Sequence, residues 1–287
     1  MKIILISGLS GSGKSVALKL LEDTGCYCVD NLPIEMLPAL VAYHIGRGEV
    51  ANLAVSVDIR SHIKTGEVEQ QLGRLKQQGH SADILFLEAA EAVLLRRFSE
   101  TRRSHPLAAA DNSLIENLRR ERQILAPLRE HAYRIDTSQM NAQQLRRTVR
   151  QWFDAGNGGL TLVFQSFGFK YGTPADADFM FDVRSLPNPY YLPDLRPYNG
   201  TQEPIRQYLD ALPQARAMTD DIAAFLERRL PEIQAESRSY LTVAVGCTGG
   251  CHRSVYTVER LAEHFRPRLR VLVRHLRLSE KTLSDGF

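Results

Sequence analysis

Two glycine-rich stretches carry the chemistry this sequence offers. The first, GLSGSGKS, satisfies G-x4-G-K-[ST] in full. An apolar run precedes it and a helical pattern follows, the setting in which such a loop cradles phosphates. Glycines let backbone N–H groups approach phosphate oxygens, Lys14 reaches the β- and γ-phosphates, and Ser15 ligates Mg²⁺. The helix start adds a favourable dipole. Gly8, Leu9, Ser10, Gly11, Ser12, Gly13, Lys14 and Ser15 are therefore the expected nucleotide contacts. A carboxylate linked to the metal should close a neighbouring strand, and Glu88, Asp58 and Asp30 are the candidates. Arg102 and Arg103 are candidates for a lid over the phosphates, and Asp136 to Ser138 for contact with the base. The motif speaks for nucleotide binding, not turnover. No catalytic residue and no acceptor site for a kinase is legible.

The second stretch, GCTGGCHRS, runs from Gly246 to Ser254 after a strand-like LTVAV. It lacks the lysine of the first. A small phosphate ester carries less charge than a triphosphate, so Arg253 with His252 suffices for an anion at a helix N-terminus. Cys247 to Ser254 also fits C-x5-R-[ST], in which a thiolate attacks phosphorus while loop N–H groups and the arginine hold the charge. Asp182 and Asp194 are the only suggestions for its general acid. The other reading makes Cys247 a small buried residue beside an anion site.

The elements that must position these loops alternate between apolar runs and amphipathic stretches. KIILISG, YCVD, ANLAVSVDIR, ADILFLEA and YRIDTS read as strands. SVALKLLEDTG, capped at Gly25, EVEQQLGRLKQQG, EAVLLRRFSETRR, SLIENLRRERQILAPLREH and NAQQLRRTVRQWF read as helices. Strands separated by helices predict a doubly wound parallel sheet. DAGNGG then reads as a linker. After it come strands LTLVFQSFGFK and FMFDVR, a proline-rich loop, helices around 203–236, the strand LTVAVG, a helix after Arg253 and the strand RVLVRHL. The expected domains are 1–153 and 160–287, both α/β. Apolar content of 44%, charged content of 24% and net charge of +3 fit an ordinary globular chain whose bulk charge demands no nucleic acid. No apolar run is long enough to span a membrane, and no export signal is legible, so the cytoplasm is the expected compartment. The four cysteines are expected to be reduced there.

Taken together, GLSGSGKSVALKLLED, GCYCVDNLP, SVDIR, SETRRSHPL, FQSFGFKYGTPADAD, FDVRSLPNP and YLTVAVGCTGGCHRSVY resemble the RapZ/YvcJ family of P-loop nucleotide-binding proteins over essentially the whole chain. The resemblance implies a kinase-like first domain that binds ATP or GTP with Mg²⁺ and hydrolyses both weakly. It implies a second nucleotide contact at Asp58, Ile59, Arg60 and Ser61. It implies a sugar-phosphate-binding-like second domain sensing glucosamine-6-phosphate, with Thr248, Gly249, His252 and Arg253 as contacts and Arg184 beside them. Adapter members of the family bind small RNA and present it to an endoribonuclease, and the resemblance suggests a homo-oligomer, a tetramer. Between 266 and 281, Arg266, Arg268, Arg270, Arg274, Arg277 and Lys281 face Glu280 alone, a charge run suited to RNA phosphates. Three classes of function stay open: a regulatory adapter, an enzyme (small-molecule kinase or C-x5-R phosphatase), and a nucleotide-dependent switch without RNA.

Overall fold

Strands β1 (Lys2–Gly8), β2 (Tyr27–Val29), β3 (Asn52–Ser56), β4 (Ser81–Glu88) and β5 (Tyr133–Asp136) form one parallel sheet, in the order β2-β3-β1-β4-β5. The structure is a computed structural model that describes residues 1–48, 50–59, 65–108, 112–154, 160–235 and 240–278. Arg60, Ser61 and Lys281 lie outside these residues. Helices α1 (Lys14–Asp23), α2 (Leu37–Arg47), α3 (Thr65–Gln77), α4 (Glu91–Thr101), α5 (Leu114–Glu130) and α6 (Ala142–Asp154) connect and follow the strands. Successive side chains of β1 point to opposite faces. Ile3 and Leu5 join a core with Leu37, Val41, Val68, Leu72 and Leu125 from α2, α3 and α5. Ile4 and Ile6 point the other way and are fully buried, on the face where α1 and α6 pack together. Burial on both faces is why the strands read as continuous apolar runs. Each such side chain stabilises by about 1.5–3 kcal/mol.

The connection leaving β1 runs one way to the edge strand β2, and later connections bring β3 and β4 to either side of β1. Ligands in open parallel sheets bind beyond the carboxyl ends of strands at such a reversal, and GLSGSGKS leaves β1 there.

One element goes beyond the sequence reading, and one cap shifts. LPALVAYHIGR, given no element in the sequence analysis, is α2. Pro38 falls in the first turn, where its missing N–H costs nothing, and Leu37, Val41 and His44 are buried at helical spacing. Thr24 is the C-cap of α1, and Gly25, at φ +87°, is the residue beyond it.

The chain divides into two units, Met1–Gly158 and Gly159–Phe287. In the second, β6 (Thr161–Gly168), β7 (Phe179–Asp182), β8 (Tyr240–Cys247) and β9 (Arg270–His275) form a parallel sheet ordered β7-β8-β6-β9. Helices α7 (Glu203–Asp210), α8 (Pro213–Ala235) and α9 (Arg253–Phe265) pack with one face, burying Leu162, Phe164, Val243, Val245, Leu226 and Phe265. Both halves are α/β. Among the described residues no helix is long and apolar enough to cross a membrane.

Candidate functional site

In the first unit the loop after β1 turns sharply into α1. Gly8 adopts φ +136°, and a Cβ there would sit 2.0 Å from the Leu87 carbonyl oxygen of β4, so only glycine fits. The Lys14 ammonium is folded over the loop, donating to the Gly8 carbonyl at 2.7 Å and the Leu9 carbonyl at 3.2 Å. The loop is anchored from beneath by a residue the sequence reading missed. Glu121 of α5 is fully buried and accepts hydrogen bonds from the Ser10 N–H at 2.9 Å and the Ser10 hydroxyl at 2.7 Å. His105 lies 3.1 Å from the same carboxylate. The Leu107 N–H donates to His105 Nδ1, so the ring proton sits on Nε2 and is donated to Glu121. Burial by itself would raise the Glu121 pKa. The His105 bond, the charge on Lys14 and the two Ser10 bonds outweigh it and hold the carboxyl below its ordinary value.

A second brace comes from Arg97 and Thr137. Arg97 donates to the Gly11 carbonyl at 3.0 Å and to the Thr137 carbonyl at 2.7 Å, while the Thr137 hydroxyl donates to the Ser12 carbonyl at 2.9 Å. The stretch Asp136 to Ser138, expected at the base, thus supports the loop: Thr137 carries it, and Ser138 accepts from the Ala90 N–H. Of the three carboxylates considered for the metal, Glu88 is occupied, both oxygens accepting from Arg129 at 2.8 and 2.9 Å. Asp30 is exposed. Asp58 is 3% exposed, two residues past the end of β3, the strand beside β1. Ser15 stands exposed at the start of α1, and the buried Ser12 hydroxyl has no hydrogen-bond partner among the described residues. An oxygen set of Ser15 and Asp58, completed by phosphates and water, fits Mg²⁺, which keeps few protein ligands. Arg102, at φ +50°, and Arg103 are both exposed past the end of α4.

In the second unit the loop 248–252 joins β8 to α9, as the strand–loop–helix reading expects. Gly168, at the end of β6, lets it pack close: a Cβ there would lie 2.6 Å from the Gly249 carbonyl carbon. Arg253 is 4% exposed and donates to the carbonyls of Arg184 and Leu186, both at 2.8 Å, and to the Thr248 hydroxyl at 3.3 Å. Its Nε has no partner among the described residues. A buried guanidinium held by neutral oxygens keeps its charge available for an anion. Burial pushes the His252 pKa down, the Tyr198 carbonyl opposing and Arg253 adding to the effect. His252 therefore contributes a polar edge at neutral pH, not the second positive charge the sequence suggests.

These residues line a cavity of about 610 Å³. Thr248, Gly249, His252 and Arg253 are brought together on one wall. Arg184 is not: its guanidinium is bound bidentately by Asp182 and lies 4.1 Å over the Phe169 ring, so only its carbonyl serves the site. Lys170, Tyr171, Tyr190, Tyr198 and Arg277 complete the walls and were not expected there. No carboxylate is among the described residues lining the cavity. Cys247, 2% exposed, accepts the Gly250 N–H at 3.2 Å and lies 3.2 Å from the Ser254 hydroxyl. The sulfur thus helps set the loop's shape. Asp182 is engaged by Arg184, and Asp194 is not on the cavity wall, so neither stands as the acid a C-x5-R phosphatase needs.

The basic run near the C-terminus does not form one patch. Arg274 is 6% exposed and pairs with buried Asp176 at 3.0 Å, which removes it from any nucleic-acid surface. Arg268 is bound by Glu227, and Arg277 belongs to the cavity. Arg266 is exposed and Arg270 half-buried. The alternation of β9 accounts for this: Val271 and Val273 face the helices, while Arg270 and Arg274 point to the opposite face.

The profile of the RapZ-like N-terminal domain matches residues 1–157, and that of the RapZ C-terminal domain matches residues 160–279. A "nucleotide-binding protein" of Neisseria meningitidis serogroup C is 60% identical over 275 residues, 96% of this chain and 97% of the relative. Proteins of the same description from Dechloromonas aromatica and Methylobacillus flagellatus are 52% identical over 280 residues and 50% over 276, covering 97% and 96% of this chain and 99% and 98% of theirs. Among solved structures, a sugar kinase from Janibacter sp. is similar at 18% identity and TM-score 0.38, over 54% of this chain and 95% of that one. A shikimate kinase from Acinetobacter baumannii is similar at 18% identity and TM-score 0.36, over 53% and 93%. With both family profiles matched in order and near-full-length relatives at half identity or better, the chain belongs to the RapZ family.

Proposed function

We propose that this chain is a nucleotide-binding regulatory protein whose second domain senses a phosphosugar. The first unit takes ATP or GTP with Mg²⁺ on Gly8 to Ser15, with Asp58 beside the metal. The second takes glucosamine-6-phosphate, its phosphoryl group on the 248–250 loop and Arg253. The observation that carries the reading is Arg253: a buried guanidinium whose Nε has no partner, opening on a cavity with no lining carboxylate, among the described residues. The relatives' description as nucleotide-binding proteins supports the first half. Hydrolysis of the nucleotide is weak in this reading, as the family resemblance implies.

RNA adapter activity belongs to the same proposal and rests on the family resemblance. With Arg274 buried, Arg268 paired and Arg277 on the cavity wall, it draws on Arg266 and on Lys281, which lies outside the described residues. The expected partners are a small RNA and an endoribonuclease, and the expected state is a homotetramer. Calorimetry on the full-length protein tests the core of the reading. Glucosamine-6-phosphate should bind saturably without phosphate release, and Arg253→Ala should remove that binding while leaving nucleotide affinity intact. Phosphate release lost in Cys247→Ser would replace the sensor by a phosphatase. RNA retention that falls steeply with salt supports the adapter, and no retention at moderate salt leaves a nucleotide- and sugar-dependent switch.

A further inference from the structure

The second-unit cavity holds more positive charge and more aromatic wall than one phosphosugar uses. Four cationic side chains line it, Lys170, Arg196, Arg253 and Arg277. None of the four has a carboxylate partner among the described residues. A phosphomonoester dianion answers two of these charges.

The surplus has a location. The stem of Arg277 passes over the anion loop, its Cγ 2.8 Å from the position a Cβ on Gly250 would take, and its guanidinium lies 3.6 Å over the Tyr171 ring. The Lys170 ammonium is 5.8 Å from the same ring, and the Lys170 N–H donates to the Thr248 carbonyl. Lys170 and Arg277 thus meet the loop at Thr248 and Gly250, and Arg253 meets it at the Thr248 hydroxyl. Tyr190, Tyr191 and Tyr198, exposed by 50%, 76% and 39%, also line the cavity, and the Tyr190 ring lies 6.5 Å from that of His252. Arg196 stacks on Tyr190 at 4.8 Å and donates to its carbonyl. Exposed rings beside cations offer a base both a stacking face and a charged edge. The volume of about 610 Å³ is mid-range for a cavity that encloses a drug-sized molecule, about 300–1,000 Å³, whereas a hexose phosphate is a small occupant.

We propose that the cavity accepts a nucleoside diphosphate sugar. Its diphosphate lies between the 248–250 loop with Arg253 and the Lys170–Arg277 pair, and its base stacks on the Tyr191 and Tyr198 wall. This deepens the phosphosugar reading and rests on the same loop being a phosphate site. The phosphosugar fills the loop end alone, and the larger molecule fills both ends.

The test uses the full-length protein with its P-loop saturated by a non-hydrolysable ATP analogue and Mg²⁺, so that binding at the first unit is silent. UDP-N-acetylglucosamine and glucosamine-6-phosphate are titrated separately by calorimetry. The nucleotide sugar is expected to bind about tenfold more tightly or better, from one stacked base and the added charge contacts. Tyr191→Ala and Arg277→Ala should each weaken the nucleotide sugar by roughly tenfold. Tyr191→Ala should leave the phosphosugar affinity within about twofold, since Tyr191 is 76% exposed and its ring meets Tyr190, not the 248–250 loop. Arg277→Lys and a thermal melt guard against a folding defect. Binding of glucosamine-6-phosphate with weaker or no binding of the nucleotide sugar overturns this inference and leaves the phosphosugar reading standing. Binding of neither overturns both. Nucleotide-sugar binding indifferent to Arg253→Ala places it outside the cavity and also overturns the inference.

Discussion

Replacing Glu121 by alanine should unfold the first unit at markedly lower denaturant and loosen the nucleotide site. The carboxylate is fully buried and receives three hydrogen bonds, from the Ser10 N–H, the Ser10 hydroxyl and His105 Nε2. In Glu121→Ala all three donors lose their acceptor. A buried unsatisfied donor costs about 1–3 kcal/mol, so even the low end comes to about 3 kcal/mol. Taking two of the three donors at the middle of that range, and the third at its low end, puts the loss at about 5 kcal/mol. Urea denaturation followed by tryptophan fluorescence measures it cleanly. The chain has a single tryptophan, and Trp152 is 2% exposed and stacked on Tyr133 within the first unit. With an m-value near 2 kcal/mol/M, the midpoint should fall by roughly 1.5–2.5 M. The folded-state pKa of Glu121 is depressed, so its stabilisation is present above the unfolded value of about 4.3 and is lost as pH falls through the folded value. Wild type should therefore lose stability below about pH 4 by a component that Glu121→Ala lacks. Nucleotide affinity should fall under conditions where the variant is folded, because Ser10 is no longer held. A midpoint shift worth less than about 1 kcal/mol, or an unchanged acid limb, would refute the assignment of Glu121 as the anchor of the loop.

Gly8→Ala should cost at least about 2 kcal/mol and abolish nucleotide binding, since the new Cβ meets the Leu87 carbonyl oxygen at φ +136°; circular dichroism and nucleotide titration check both. Thr137→Val should cost about 1–2 kcal/mol and weaken nucleotide binding several-fold by removing the hydroxyl between the Ser12 carbonyl and Arg97. Arg274→Ala should destabilise the second unit by about 3–5 kcal/mol through Asp176 left buried without its charge partner. Salt dependence of RNA retention should not change in Arg274→Ala once folding is accounted for, and a lowered slope would mean that Arg274 reaches phosphate.

The loops and the fold class were legible in the sequence because their causes are local. Close approach of backbone N–H groups to phosphate needs glycine at Gly8, Gly11 and Gly13, and a lysine at fixed spacing, so the chemistry is written in eight consecutive residues. Strands buried on both faces, such as β1, β3, β4, β6 and β8, read as apolar runs wherever they fall, which made them findable. Helix α2 was missed because Pro33 and Pro38 break the pattern locally, while the burial of Leu37 and Val41 that favours a helix comes from strands on either side. Tertiary structure alone decided the rest, because a sequence gives the sign of a charge but not its neighbour. Glu121 reaches the loop across 111 positions, and Arg274 finds Asp176 across 98. An arginine run that resembles an RNA surface is thereby divided among a buried ion pair, a surface pair with Glu227 and a cavity wall. The walls of that cavity come from four separate parts of the chain, around 170, 188–199, 247–253 and 277–278, and the parallel order β7-β8-β6-β9 brings them together.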